Sequence, residues 1–205
     1  MDNTFSIIIS SIFQVLLFSL IPFVWWMITA RKTISFFSWV GLKKTVVANK
    51  KTFILWVAGC VFVLFICSFI TPILIDQDAS TMGQFAGQGS RLIPSALVYG
   101  LIQTGLSEEI LFRGFLGKRL ISKFGFSVGN TVQALAFGLM HGVLFYFIST
   151  IGLGLVLIIT LLTGFAGWVM GYINEKQANG SIIPSYLIHG VGNALLAILA
   201  LYNII

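Results

Sequence analysis

Apolar runs, each about as long as a membrane is thick, recur along the chain and are separated by short polar segments. A hydrocarbon layer of roughly 30 Å is crossed by about twenty helical residues, and only helices or closed barrels satisfy their backbone groups inside it. Phe5 to Ala30, Phe53 to Ile75 and Leu92 to Lys118 each meet that length. Between Gly125 and Ile173 there is no Asp, Glu, Lys or Arg, which leaves room for two crossings joined by a tight turn near Ser149 to Gly154. A last run covers Ile183 to Tyr202. The pattern predicts an all-α fold, a polytopic transmembrane helical bundle of about six transmembrane helices, with residues 1–205 forming a single integral membrane domain.

Composition closes off the soluble alternatives. Hydrophobic residues make up 58% of the chain and charged ones 9%, against roughly 25% charged in a water-soluble domain, and the mean hydropathy is +1.00. The first run has no basic residue before it and exceeds the apolar core of a signal peptide, so it is expected to be a retained helix. The net charge of +6 would suit an anionic partner, but its distribution is topological and no nucleic acid partner is expected. Arg31, Lys32, Lys43, Lys44, Lys50 and Lys51 all lie between the first two runs, which marks that loop as cytoplasmic. With both termini then outside, ten of the twelve basic residues fall inside, the exceptions being Arg91 and Arg113. Asp2, Asp76 and Asp78 fall outside. Cys60 and Cys67 share a helix face too far apart along the axis to bridge, and are expected only to pack. Gly138 with Gly142, and Gly167 with Gly171, have the spacing that lets helices of one molecule approach closely.

Against this background a few polar residues stand out. One run contains Ser107, Glu108, Glu109 and Arg113, and an ionisable group at the centre of a membrane helix costs about 3 kcal/mol on insertion scales. Phe112, Phe115 and Leu116 continue the apolar pattern past the acids, which argues against a solvated helix end. Glu109 and Arg113 are four apart and suit an ion pair, whereas Glu108 points about 100° away. His141 and His189 are the chain's two histidines; Phe137 precedes the first by four residues and Asn193 follows the second by four. Two carboxylates, an arginine, two imidazoles and an amide on three helices are expected to satisfy one another around one hydrated cavity. Counted at 1.5 Å per residue from Ile183, His189 lies roughly 10 Å below the cytoplasmic face, while His141, counted from Ser127, comes out deeper.

Glu108-Glu109 with Arg113, Phe137 with His141, and His189 with Asn193 resemble, in order, the three signature motifs of the CPBP family of intramembrane proteases. That family, also called Abi, includes type II CAAX prenyl endopeptidases and bacterial proteins tied to bacteriocin self-immunity and peptide processing. Leu111-Phe112-Arg113-Gly114 and Phe137-Gly138 also look like the family. The resemblance covers Leu101 to Asn193 and implies a catalytic core over about 92–203. Having fewer spans than the eukaryotic-type CAAX enzymes favours a bacterial member in the plasma membrane.

The resemblance implies an endopeptidase acting on a membrane-embedded or lipid-anchored peptide substrate, with the lipid bilayer as its other partner. Peptide hydrolysis needs an activated water, a proton donor for the leaving nitrogen and a stabiliser for the oxyanion. Glu108 and His141 would hold and deprotonate the water, Glu109 would be locked by Arg113, and His189 with Asn193 would serve the oxyanion. No cofactor is expected. The alternative is zinc on Glu108, His141 and His189, a known type of ligand set, although the chain lacks the His-Glu-x-x-His helix of many zinc proteases. A non-enzymatic bacteriocin self-immunity or scaffold protein, its polar cluster merely joining helices, is the competing reading. Oligomeric state is not legible in the sequence.

Overall fold

The computed structural model describes residues 3–74, 82–148 and 151–204, with side chains at 3, 67–74 and 148 excepted. Among the described residues it is helical, with no strand. Asp2, Asp76, Asp78, the Cys67 side chain and the first part of the expected turn at Ser149 lie outside them.

Long helices lie along each of the apolar runs. Helix α1 is Asn3–Thr29, α3 is Lys50–Leu74, α6 is Phe126–Ile148, α7 is Leu153–Tyr172 and α8 is Ile183–Leu201. The third run is more complex: a short α4 (Ile93–Val98) passes into two π-helical stretches, Tyr99–Leu106 and Glu109–Gly117, and then into α5 (Lys118–Phe124). Gly125, at φ 78°, ends that rod before α6 begins. By length and apolarity, four helical stretches among the described residues qualify as membrane spans. One of them, Ser90–Phe147, includes the break at Gly125. The expectation of six crossings therefore rests on hydropathy and not on this count.

Large apolar side chains face outward on these helices, among them Phe13, Ile28, Phe62, Leu161 and Leu195. A patch of that extent is tolerable only against lipid or another apolar surface. Inside the bundle, contact is made through small residues. A Cβ on Gly138 would meet Gly164, one on Gly142 would meet Thr160, and one on Gly171 would meet Asn130. The expected close approach of α6 and α7 is thus intramolecular, as lipid-embedded helices require small residues to touch.

The basic loop folds back onto the bundle. Its helix α2 (Phe36–Val40) is started by the Ser35 hydroxyl, which accepts from Ser38 N–H, and stopped by Gly41 in the left-handed region at φ 90°. Only glycine takes that conformation readily. Trp39 and Val40 then bury against Ile110, with Trp26, Phe36 and Phe115 around them. The Gly41 carbonyl accepts from Ile182 N–H at 2.9 Å, and the Lys43 carbonyl from the Ser181 hydroxyl at 2.8 Å. This loop therefore braces both the second π-stretch and the start of α8, the two elements that carry Glu109 and His189.

Candidate active site

Ser107 and Glu108 form the junction between the two π-stretches. A π-turn adds a residue to the helical repeat and recurs at functional sites because it re-aims side chains. Here adjacent carboxylates acquire different surroundings. Neither reaches bulk solvent: Glu108 is 7% exposed, Glu109 0% and Arg113 3%.

Glu109 is fully engaged. Its Oε1 lies 3.0 Å from Arg113 Nη1 and 3.1 Å from His189 Nδ1, and its Oε2 accepts from the Ser185 hydroxyl at 2.5 Å. The arginine contact is one of charge and not an aligned hydrogen bond, because no Arg113 N–H meets hydrogen-bond geometry among the described residues. The guanidinium instead stacks over the Phe137 ring at 4.0 Å. Gly167 leaves it room, since a Cβ there would sit 3.0 Å from Nη2. An ionised carboxylate only accepts. Glu109 therefore holds the proton of His189 on Nδ1 and turns Nε2 away from itself.

Glu108 is the opposite case. Its Oε2 is buried, has no hydrogen-bond partner among the described residues, and lies 3.8 Å from Nε2 of both His141 and His189. The Phe137 carbonyl accepts from His141 Nδ1 at 2.9 Å, which leaves the lone pair of His141 on Nε2, facing Glu108. The two rings share one depth in the bundle despite their different counts from the helix starts. Phe137 separates and supports them: its ring is 4.4 Å from that of His141 and 5.9 Å, edge-on, from that of His189.

Asn193 stands apart from this group. Its Nδ2 donates to the Thr104 hydroxyl at 2.9 Å. Thr104 gives its own proton to Gly100 or Tyr99 carbonyl oxygens, at 3.1 and 3.3 Å. The amide is thereby fixed one turn along α8 from His189, with one N–H committed.

Of the sequence-predicted residues, Glu108, Glu109, Arg113, His141 and His189 come together, whereas Asn193 lies one turn along α8 and bonds to Thr104 instead. Glu108, His141 and His189, the residues of the zinc alternative, also meet. Among the described residues, however, no group of three or more His, Cys, Asp or Glu side chains has a spacing that could hold a metal ion. Three participants escaped the sequence reading: Ser185, Asn174 and Thr104. Ser185 precedes His189 by four residues, and Thr104 precedes Glu108 by four, so helical spacing could have found both. The signal is weak because such hydroxyls commonly bond their own helix carbonyls. Asn174 falls in the short polar segment between Ile173 and Ile183, where no helical spacing points to a partner.

The fold and this cluster define a class: a multi-pass helical membrane protein with acids and imidazoles enclosed between its helices. A family model described as type II CAAX prenyl endopeptidase Rce1-like matches residues 90–195. This span is more than half of the chain and contains every motif residue, and the chain belongs to that family of CAAX-type intramembrane proteases. No curated protein and no solved structure matches it.

Proposed function

We propose that this protein hydrolyses a peptide bond in a membrane-associated peptide or lipid-anchored protein, using a water held between Glu108 and His141. One observation supports this above the others: the buried Oε2 of Glu108, without a hydrogen-bond partner among the described residues, faces two imidazole Nε2 atoms at 3.8 Å. That separation is too long for a direct hydrogen bond and suits a bridging water. Such a water gives both hydrogens to the acceptors Glu108 Oε2 and His141 Nε2 and keeps a lone pair for attack.

The chemistry then balances. The water oxygen bonds to the scissile carbonyl carbon while Glu108 takes its proton, and the carbonyl becomes an oxyanion. The second N–H of Asn193 and the Nε2–H of His189 in its imidazolium form, with Nδ1–H still held by Glu109, are the donors on one helix face for that oxygen. Collapse of the intermediate breaks the C–N bond, and Glu108 returns the proton to the leaving nitrogen. Glu109 and Arg113 touch no reacting atom in this scheme and act as positioning residues. Zinc, the competing means of activating the water, would need Glu108, His141 and His189 as ligands, and their spacing among the described residues does not fit a metal ion.

A scaffold or immunity role is less well supported. Groups that only join helices have their hydrogen bonds made, as Glu109 does, whereas an unsatisfied buried oxygen such as that of Glu108 calls for a further partner. The bacterial plasma membrane is the proposed location, with maturation of a peptide or a CAAX-type tail as the role.

The test uses protein in liposomes with two internally quenched peptides, one carrying a prenylated CAAX-type tail and one an unmodified apolar segment. Wild-type protein cleaves at least one of them, and Glu108→Gln and His141→Ala each lower the rate by about 10²- to 10⁴-fold, the usual worth of a general base. Cleavage persists with a zinc chelator under the glutamate mechanism and stops under the metal one. Undiminished cleavage by both variants, or none by wild type, would end the hydrolase reading.

A further inference from the structure

Behind Glu109 lies a buried chain of hydrogen bonds that no motif contains. Asn174, in the π-turn Ile173–Gln177 that ends α7, donates from Nδ2 to the Ser185 hydroxyl at 2.7 Å. Its Oδ1 accepts from Ser185 N–H at 3.3 Å, and its own carbonyl accepts from Gly180 N–H at 2.8 Å. Ser185 in turn reaches Glu109 Oε2 at 2.5 Å. Asn174 is 1% exposed and Ser185 0%.

The direction of each bond follows from donor chemistry. The Asn174 amide supplies the proton that the Ser185 oxygen accepts, so the single hydroxyl proton of Ser185 is available to Glu109. The Ile182 carbonyl, at 3.1 Å, is its other acceptor within reach, and the shorter bond to a charged acceptor is the stronger of the two. Glu109, with Oε2 held in this way, cannot turn its Oε1 from His189 Nδ1. The ring then keeps its proton on Nδ1 and its Nε2 aimed at Glu108. Removal of Ser185 would free the carboxylate to swing toward Arg113, whose aligned N–H bonds are unmade.

We infer that Ser185, held by Asn174, is a positioning residue that fixes the orientation and tautomer of His189 through Glu109. This rests on the peptidase reading for its effect on turnover, but not for its effect on the ring. Outer groups that orient an imidazole through its second nitrogen are worth about 10- to 100-fold in comparable metal sites.

The chain has two histidines, so ¹⁵N-histidine labelling of the protein in nanodiscs gives two rings, and His189→Gln identifies which signals belong to His189. With Ser185→Ala, the His189 nitrogen signals move toward a mixture of tautomers while those of His141 stay in place. Ser185→Thr, which keeps the hydroxyl, restores the wild-type pattern, and Asn174→Ala gives a smaller shift in the same sense. On whichever quenched peptide the wild type cleaves, Ser185→Ala lowers kcat about 10-fold or more with KM unchanged. The double variant with Glu109→Gln is no slower than Glu109→Gln alone, as expected for groups acting in series. Unchanged His189 signals in a folded Ser185→Ala protein would overturn the inference. So would effects of Ser185→Ala and Glu109→Gln that simply add. If the wild type cleaves neither peptide, the peptidase reading fails, and the nitrogen spectra still decide the positioning role.

Discussion

Glu108 Oε2 and His141 Nε2 face each other across 3.8 Å, with the Phe137 ring packed against the imidazole. In the proposed mechanism one water sits against both atoms, and its short reach leaves little tolerance. Shortening the acid by one methylene withdraws the carboxylate without changing its charge. Glu108→Asp is therefore expected to lower kcat by about 100-fold, the loss typical of a roughly 1 Å misplacement. Its thermal unfolding in detergent should match wild type. A rate equal to wild type in the liposome assay would mean that the separation does not matter.

Arg113 makes a different prediction, because its partner is wholly buried. Removing one member of a buried ion pair leaves an uncompensated charge and costs about 3–5 kcal/mol. Arg113→Ala should unfold at much lower temperature or denaturant than wild type, and should also lose the stacking on Phe137. Arg113→Met with Glu109→Gln removes both charges and should recover a good part of that stability, though not the activity. If the single variant is as stable as wild type in a thermal melt, the ion pair carries no weight in the fold.

These contrasts also mark how far the sequence could be read. Hydropathy located the helices, because the bilayer imposes one length on every span. The pairing of Glu109 with Arg113 was legible from their spacing. What spacing could not give was the direction of Glu108, since the 100° step assumes an α-helix and the chain is π-helical on both sides of that residue. Nor could it show that Asn174 reaches Ser185, as nothing in a polar turn after α7 announces which buried hydroxyl it will meet. The folding of the basic loop under the site through Gly41 was equally hidden, because its signal is a backbone conformation and not a pattern of side chains.

Thr104 is where the position of Asn193 can be tested. Its hydroxyl accepts the amide at 2.9 Å and is itself committed to backbone carbonyls. Thr104→Val keeps the shape but leaves one Asn193 N–H without its acceptor, at a cost of about 1–3 kcal/mol. The amide is then able to rotate, and kcat should fall while KM holds, if its second N–H serves the oxyanion. A change confined to stability, with kcat untouched in the liposome assay, would remove Asn193 from the chemistry.

The sharpest structural test lies at the contact of the first π-stretch with α8. Those two elements touch backbone to backbone: a Cβ on Gly105 would sit 2.7 Å from the Gly190 Cα, and a Cβ on Gly100 would overlap the backbone of Ala194. Neither obstacle is the end of a flexible side chain, so the helices themselves would have to separate. Overpacking of this kind costs about 1–3 kcal/mol. Because His189 adjoins Gly190 and Glu108 follows Gly105 by three residues, the displacement passes directly into the distance between His189 and Glu108. Gly100→Ala and Gly105→Ala are therefore expected to lower kcat by about 100-fold for a shift near 1 Å. Gly192, on the same helix, has nothing among the described residues within 4 Å of an added Cβ, and Gly192→Ala should leave both stability and turnover within about twofold of wild type, since only the small helix preference of Ala over Gly is in play. Thermal melts and peptide turnover measured on all three variants separate the two outcomes. Equal behaviour of Gly105→Ala and Gly192→Ala would mean that the close approach of these helices does not set the geometry of the site.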